Sequence, residues 1–252
     1  MKIFPAIDIK DGKCVRLLKG DFQKSTEYNK TPLEQAKAFS KLGYRDLHII
    51  DLDGALEGKP INGKLIEEIC RIKKIKVQIG GGIRSVEYIK RLIDIGIDRV
   101  ILGTIAVEDI KFFENVCGKF ENKIAIALDV RNGFIALRGW KKQTEIKASE
   151  FVKKIENFGV SRIIYTDINR DGTLTKPNLE ETFKLSKLTK IPVLVSGGVS
   201  SINDIENIAN QNKSDPRIEG VIIGKAIYDG KIDHDQLIKM SFFVLKVSKK
   251  HK

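Results

Sequence analysis

The heptapeptide AIDIKDG at Ala6–Gly12 returns as ALDVRNG at Ala127–Gly133, which puts Asp8 and Asp129 at equivalent positions in two halves of the chain. Outward from this pair, GYRDLHIIDLDGALEGKP from Gly43 matches GVSRIIYTDINRDGTLTKP from Gly159. QIGGGIRSVEYI followed by RVILGTIAVED (Gln78–Asp109) likewise matches VSGGVSSINDI followed by GVIIGKAIYDG (Val195–Gly230). Each half therefore has the same order: an AxD segment, a strand ending in Asp, a Gly-Gly pair and a further Gly. Repeats of roughly 20 to 50 residues indicate solenoids or propellers, whereas a period above about 100 residues indicates a duplicated half-domain.

Eight short runs rich in Ile, Val and Leu recur along the chain, at 3–9, 46–51, 76–79, 99–102, 123–129, 162–166, 192–196 and 220–223. They are nearly continuously apolar, as strands covered on both faces must be. Helical patterns lie between and after them, at 31–42, 62–71, 85–95, 107–117, 148–158, 179–188, 201–211 and 233–244. Thr31 before Pro32, and Ser85 with Glu87 in the first turn, supply helix starts, while Gly43, Gly96 and Gly159 sit where helices should stop. Eight strand–helix units in two matched halves predict a closed (β/α)8 barrel, an α/β TIM barrel built from two duplicated half-barrels; an open doubly wound sheet gives no reason for matched halves.

At 252 residues, 42% of them hydrophobic, the chain is long enough for one such barrel or for two ordinary domains. No Pro-, Gly- or Ser-rich linker separates the halves. We read a single barrel over 1–245, with half-barrels of about 1–120 and 121–245 and a basic tail at 246–252; two independent four-stranded units are the alternative. Cys14, Cys70 and Cys117 are odd in number, far apart and without CxxC spacing, which argues against a secreted disulfide framework and for a reducing cytoplasm. The opening residues run straight into a strand, and no apolar run approaches the roughly 18 residues of a bilayer span. No membrane partner is expected.

The formal charge of +12 raises nucleic acid, a membrane surface and anionic small molecules as partners. Lysines are scattered along helix faces, only KVSKKHK at Lys246–Lys252 is a cluster, and no nucleic-acid motif accompanies it. A solvated basic surface is expected, with no nucleic-acid partner. With only His48, His234 and His251 in the chain and no metal-ligand spacing among the cysteines, no metal is expected, and no strand leads into a GxGxxG fingerprint for a dinucleotide cofactor.

In a barrel of this type the loops after the strands form the active face. The glycines fall there: Gly81 and Gly82 after the third strand, Gly103 and Thr104 after the fourth, Gly197 and Gly198 after the seventh, Gly224 after the eighth. Glycine lets backbone amides approach an anion, and a following helix start adds a favourable dipole. A Gly-Gly pair is also an ordinary tight turn, but two matched sets predict two phosphate cradles and hence a small-molecule ligand with a phosphate at each end. Arg84 and Lys225 stand beside the cradles.

Asp8 and Asp129 end the first and fifth strands, opposite each other in an eight-stranded ring, and are expected to act as an acid and base pair with divergent pKa values. Asp51 and Asp167 also match across the halves, and Asp11, Asp21 and Asp53 read as structural turn residues. His48 lies within the second strand, where it faces either core or substrate. Trp140, the single tryptophan, sits in a polar stretch after the fifth strand and reads as part of a loop closing over substrate.

PAIDIKDGKCVRLLKGD, QIGGGIRS, ALDVRNG followed by RGW, YTDINRDGTL and VSGGVSS together resemble the ProFAR isomerase family of histidine biosynthesis, over essentially the whole chain. The resemblance implies the substrate, the bisphosphate N′-(5′-phosphoribosyl)formimino-5-aminoimidazole-4-carboxamide ribonucleotide, and a cofactor-free Amadori rearrangement of aminoaldose to aminoketose. It implies Asp8 as the base at C2 and Asp129 as the acid at the ring oxygen. Thr166 and Asp171 would assist binding and loop closure, Gly172 would lie in the binding site, and Arg16, His48 and Trp140 would assist. The cyclase subunit of imidazole glycerol phosphate synthase shares the duplicated barrel but usually has Cys in place of Ala6 and lacks the RGW element. It remains one alternative, and a non-catalytic phosphosugar-binding barrel another; the isomerase alone needs no obligate protein partner.

Overall fold

Strands apolar on both faces need cover on both, and the chain provides it by closing its sheet into a ring. The computed structural model describes residues 1–214 and 216–240; the end of the predicted last helix and of the barrel segment, the basic tail and His251 lie outside the described residues. The barrel strands are β1 (Lys2–Lys10), β2 (Asp46–Asp51), β3 (Lys76–Gly80), β4 (Arg99–Leu102), β5 (Ile124–Arg131), β6 (Arg162–Asp167), β7 (Val193–Ser196) and β8 (Ile218–Ile223). Each pairs in parallel with its chain neighbours, and β8 pairs with β1, which closes the expected (β/α)8 barrel.

Phe4, Ala6, Ile101, Ala125, Ile164, Leu194 and Ile222 fill the barrel interior, while a larger core lies between strands and helices. Helix ends follow the sequence signals. Thr31 and Glu34 form a capping box with Pro32 at the first turn, and Gly43 adopts φ 107° at the stop.

The duplication persists in register: Asp8 lies beside Ile50 as Asp129 lies beside Thr166, and one residue later Asp51 and Asp167 leave the barrel. Two expectations need correction. β1 and β5 do not end at Asp8 and Asp129 but run on to Lys10 and Arg131, because antiparallel hairpins continue the ladder: Lys13–Leu18 with Asp21–Tyr28, and Phe134–Leu137 with Lys142–Lys147. The helix expected over 107–117 is two, Thr104–Glu108 and Ile110–Lys119, broken at Asp109, whose side chain accepts from the Phe112 amide and starts the second.

Candidate active site

Every residue expected to act in catalysis, phosphate binding or assistance lines one cavity of about 590 Å³ at the end of the barrel where β-strands give way to helices; Asp51 and Asp167 lie outside it. That volume suits a small organic ligand.

The cavity's two ends are built by the same device. Asp51 accepts from the Gly54, Ile61 and Asn62 amides and, at 2.7 Å, from Asn62 Nδ2. Asp167 accepts from the Asn169 amide and, at 2.7 Å, from Asn178 Nδ2. Asn62 stands at the start of Gly63–Cys70, beyond a short helix, Leu52–Glu57, that Asp51 itself caps, and Asn178 at the start of Leu179–Ser186. Against these loops the glycine pairs are pressed so closely that a Cβ on Gly81 or Gly82 would collide with the Asp51, Gly54 or Lys59 backbone, and one on Gly197 or Gly198 with that of Asp167 or Lys176. All four have positive φ. The tight-turn reading holds at both pairs, since only glycine fits there. Asp53, read as structural, accepts from the Asp11 amide and from Asn62.

The second part of each cradle is a short helix. Gly103 (φ −110°, ψ −102°) precedes Thr104–Glu108, and Gly224 (φ −107°, ψ −104°) precedes Lys225–Tyr228; neither start has a side-chain cap, and of the first-turn amides Ala106 and Ile227 donate to the Gly103 and Gly224 carbonyls. The helix after β3 starts as expected at Ser85, which accepts from the Tyr88 amide and caps it. Lys225 pairs with Asp229 at 2.9 Å, and Arg84 lies over Gly58.

Between the cradles stand three carboxyls. Asp8 Oδ2 accepts from Arg16 Nη1 at 2.7 Å, and Arg16 also donates to the Ala6 carbonyl and lies over the Tyr228 ring. Burial raises the Asp8 pKa, against the pull of Arg16. Burial also raises Asp129, against neutral hydrogen bonds from Trp140 and Thr166. Asp171 is pushed up to about 7 by burial and the neighbouring Asp8 charge, with Arg16 opposing and Asp129 adding. Of the three, Asp8 alone has a cation as direct partner.

Three loops meet above these carboxyls. Trp140 lies on Gly20 of the first hairpin, where a Cβ would enter the indole ring, and Lys141 lies over Phe22. Gly172 packs on the Leu17 carbonyl, and the Lys19 amide donates to the Asp171 carbonyl at 3.1 Å. The Arg138 amide donates to Thr104 Oγ1 at 2.8 Å, tying the Trp140 loop to a cradle. Sequence reasoning missed Gly20 and Arg138, and also Gln78 and Arg162, which form a buried chain with His48. The signal for the last two was a polar residue inside an otherwise apolar strand. Burial, together with the Arg16 and Arg162 charges, holds the His48 pKa down to about 3, so its ring is neutral.

A family model described as "Histidine biosynthesis protein" matches residues 2–233. The 1-(5-phosphoribosyl)-5-((5-phosphoribosylamino)methylideneamino)imidazole-4-carboxamide isomerase of Pelagibacter ubique (strain HTCC1062) is 48% identical over 239 residues, spanning 95% of this chain and 98% of the relative. Isomerases of the same name from Bacillus cereus (strain G9842) and Chelativorans sp. (strain BNC1) are each 45% identical, spanning 96% and 95% of this chain and 99% and 98% of the relatives. With a family match over nearly all its length and such relatives end to end, the chain belongs to the ProFAR isomerase family of histidine biosynthesis proteins.

Proposed function

We propose that the chain converts ProFAR to its phosphoribulosyl isomer by an Amadori rearrangement, with Asp8 as base and Asp129 as acid. The observation that carries this reading is two aspartates at equivalent register, one paired with a cation and one with neutral donors, in a single cavity between two matched glycine cradles. Gly81, Gly82, Gly103 and Thr104, with Arg84, hold one phosphate; Gly197, Gly198, Gly224 and Lys225 hold the other. Asp129, protonated, gives its proton to the ribose ring oxygen as the C1–O bond breaks, leaving an open Schiff base. Asp8, as carboxylate, takes the C2 proton to give the enolamine. Reprotonation at C1 and loss of the C2 hydroxyl proton complete the ketose. Oxidation at C2 is matched by reduction at C1, so the rearrangement needs no external oxidant, reductant or cofactor. His48, Thr166, Trp140 and Gly172 orient the substrate.

A specific observation favours a second reading of the acid: Asp171, raised to about 7, holds a proton near neutrality on the same cavity. In that reading Asp171 protonates the oxygen and Asp129 orients the amine. The three unpaired cysteines fit a reducing cytoplasm, and among the described residues no helix is long and apolar enough to cross a membrane.

The test is the purified chain alone with ProFAR, followed by absorbance and by product mass. Turnover without ammonia or a partner supports the isomerase, and the enzyme then works without an obligate protein partner. No turnover of ProFAR, but turnover of its phosphoribulosyl isomer with ammonia or a glutaminase subunit, would assign the chain to the cyclase instead.

A further inference from the structure

One break in the duplication lies inside the barrel. His48 on β2 is in register with Gln78 on β3, and the matching pair in the second half is Ile164 on β6 with Leu194 on β7. Ile164 and Leu194 belong to the apolar interior cluster. One half thus buries two polar side chains where the other buries two aliphatic ones, which is costly unless every polar atom is satisfied.

The way they are satisfied has a chemical consequence. Gln78, 2% exposed, accepts at Oε1 from Arg162 Nη1 at 3.1 Å, and Arg162 Nη2 donates to Glu219 at 2.8 Å. A guanidinium has only donors, so the Gln78 amide must present its oxygen to Arg162 and its NH2 group to the other side. That side is His48 Nδ1, at 2.9 Å. An NH2 group only donates, so Nδ1 must hold a lone pair, and a neutral imidazole with a bare Nδ1 carries its proton on Nε2. His48 lines the cavity, and with Nδ1 occupied it is Nε2–H that is left for a ligand.

We infer that Gln78 and Arg162 are positioning residues that lock His48 as the neutral Nε2–H tautomer, so that it meets the substrate as a fixed hydrogen-bond donor and not as a proton-transfer group. This inference rests on the isomerase reading for the identity of the ligand, though not for the tautomer. Its value to the site lies in the charges around it. Asp8, Asp129 and Asp171 share the cavity, and an imidazolium among them would pair with a carboxylate and weaken it as a base. A neutral donor holds a sugar oxygen without drawing on their protons. Two cations, Arg16 and Arg162, also oppose a positive ring, in keeping with its depressed pKa.

The test is imidazole 15N NMR of the full chain labelled at histidine, with His48 assigned by comparison with His48→Asn among the three histidines. The expected wild-type spectrum has Nε2 protonated and Nδ1 bare, unchanged across the neutral pH range. Gln78→Glu puts a carboxylate between two donors, so the proton should move to Nδ1, the 15N pattern should invert, and kcat/KM should fall roughly tenfold. Arg162→Met, which frees the amide to turn over, should give a mixture of tautomers. A wild-type ring protonated at Nδ1, or a mixture of tautomers in the wild type, overturns the inference. So does Gln78→Glu with an unchanged spectrum and unchanged kcat/KM. If a variant fails to fold, the wild-type spectrum alone decides. A wild type that shows the Nε2–H pattern yet leaves ProFAR unchanged would sink the isomerase reading and leave the tautomer lock standing.

Discussion

Asp8 and Asp129 come from the same repeated segment and sit at the same register, yet their surroundings share almost nothing. Beside Asp8 the neighbouring strand offers Ile50 and the hairpin offers the Arg16 cation; beside Asp129 the neighbouring strand offers Thr166 and the hairpin offers the Trp140 indole. One level out, Asp51 and Asp167 keep matched work, each holding at 2.7 Å an Asn that stands at a helix start, Asn62 before Gly63–Cys70 and Asn178 before Leu179–Ser186. The comparison separates two kinds of duplicated residue. Those that build the rim stay alike because both ends of the cavity need the same backbone shape. Those that face the middle of the cavity differ, as the proposed acid and base would require.

The largest effect should come from removing either carboxyl. Asp8→Asn and Asp129→Asn should each lower kcat by about 10²–10⁴-fold or more while binding of the bisphosphate product, measured by calorimetry, stays near wild type. A variant of either kind that turns over at the normal rate would break the assignment.

Next comes the cation. Arg16→Met leaves Asp8 buried without its partner, so its pKa rises further and a higher pH is needed to form the carboxylate. The acidic limb of the kcat/KM profile should move alkaline by about 1–3 units, and a limb that stays in place would show that Arg16 does not govern the base.

A smaller change tests the neutral side. Thr166→Ile copies the residue that stands beside Asp8 into the position beside Asp129, and loss of a hydrogen bond to the carboxyl should cost roughly tenfold or more in kcat. Unchanged kcat would mean that Thr166 only fills space.

The smallest expected difference is between the two rim aspartates. Asp51→Asn and Asp167→Asn should each lose about 1–3 kcal/mol of stability in denaturant unfolding. The two losses should agree to within about 1 kcal/mol; a larger gap would mean that the rims are not equivalent.

Much of this was legible in the sequence because it rests on local chemistry. Apolar runs gave the eight strands, Gly43 and Thr31 marked helix ends, and the repeated AxD and Gly-Gly segments located the mouth. The exposed hairpins were not legible: Asp21–Tyr28 and Lys142–Lys147 are mostly solvent-facing and carry no apolar alternation. Gly20 escaped because its reason is an indole ring brought over it from the other half of the barrel. Gln78 and Arg162 escaped because a polar residue in a strand reveals its partner only once the barrel interior is known.

The central claim is that equivalent aspartates have taken unequal protonation, and carboxyl 13C NMR of the free enzyme, with Asp8 and Asp129 assigned through their Asn variants, tests it most directly. On titration from acid to alkaline pH, Asp8, held by Arg16, should ionise first and Asp129 at higher pH. Ionisation of Asp129 before Asp8, or of both together, would contradict the account.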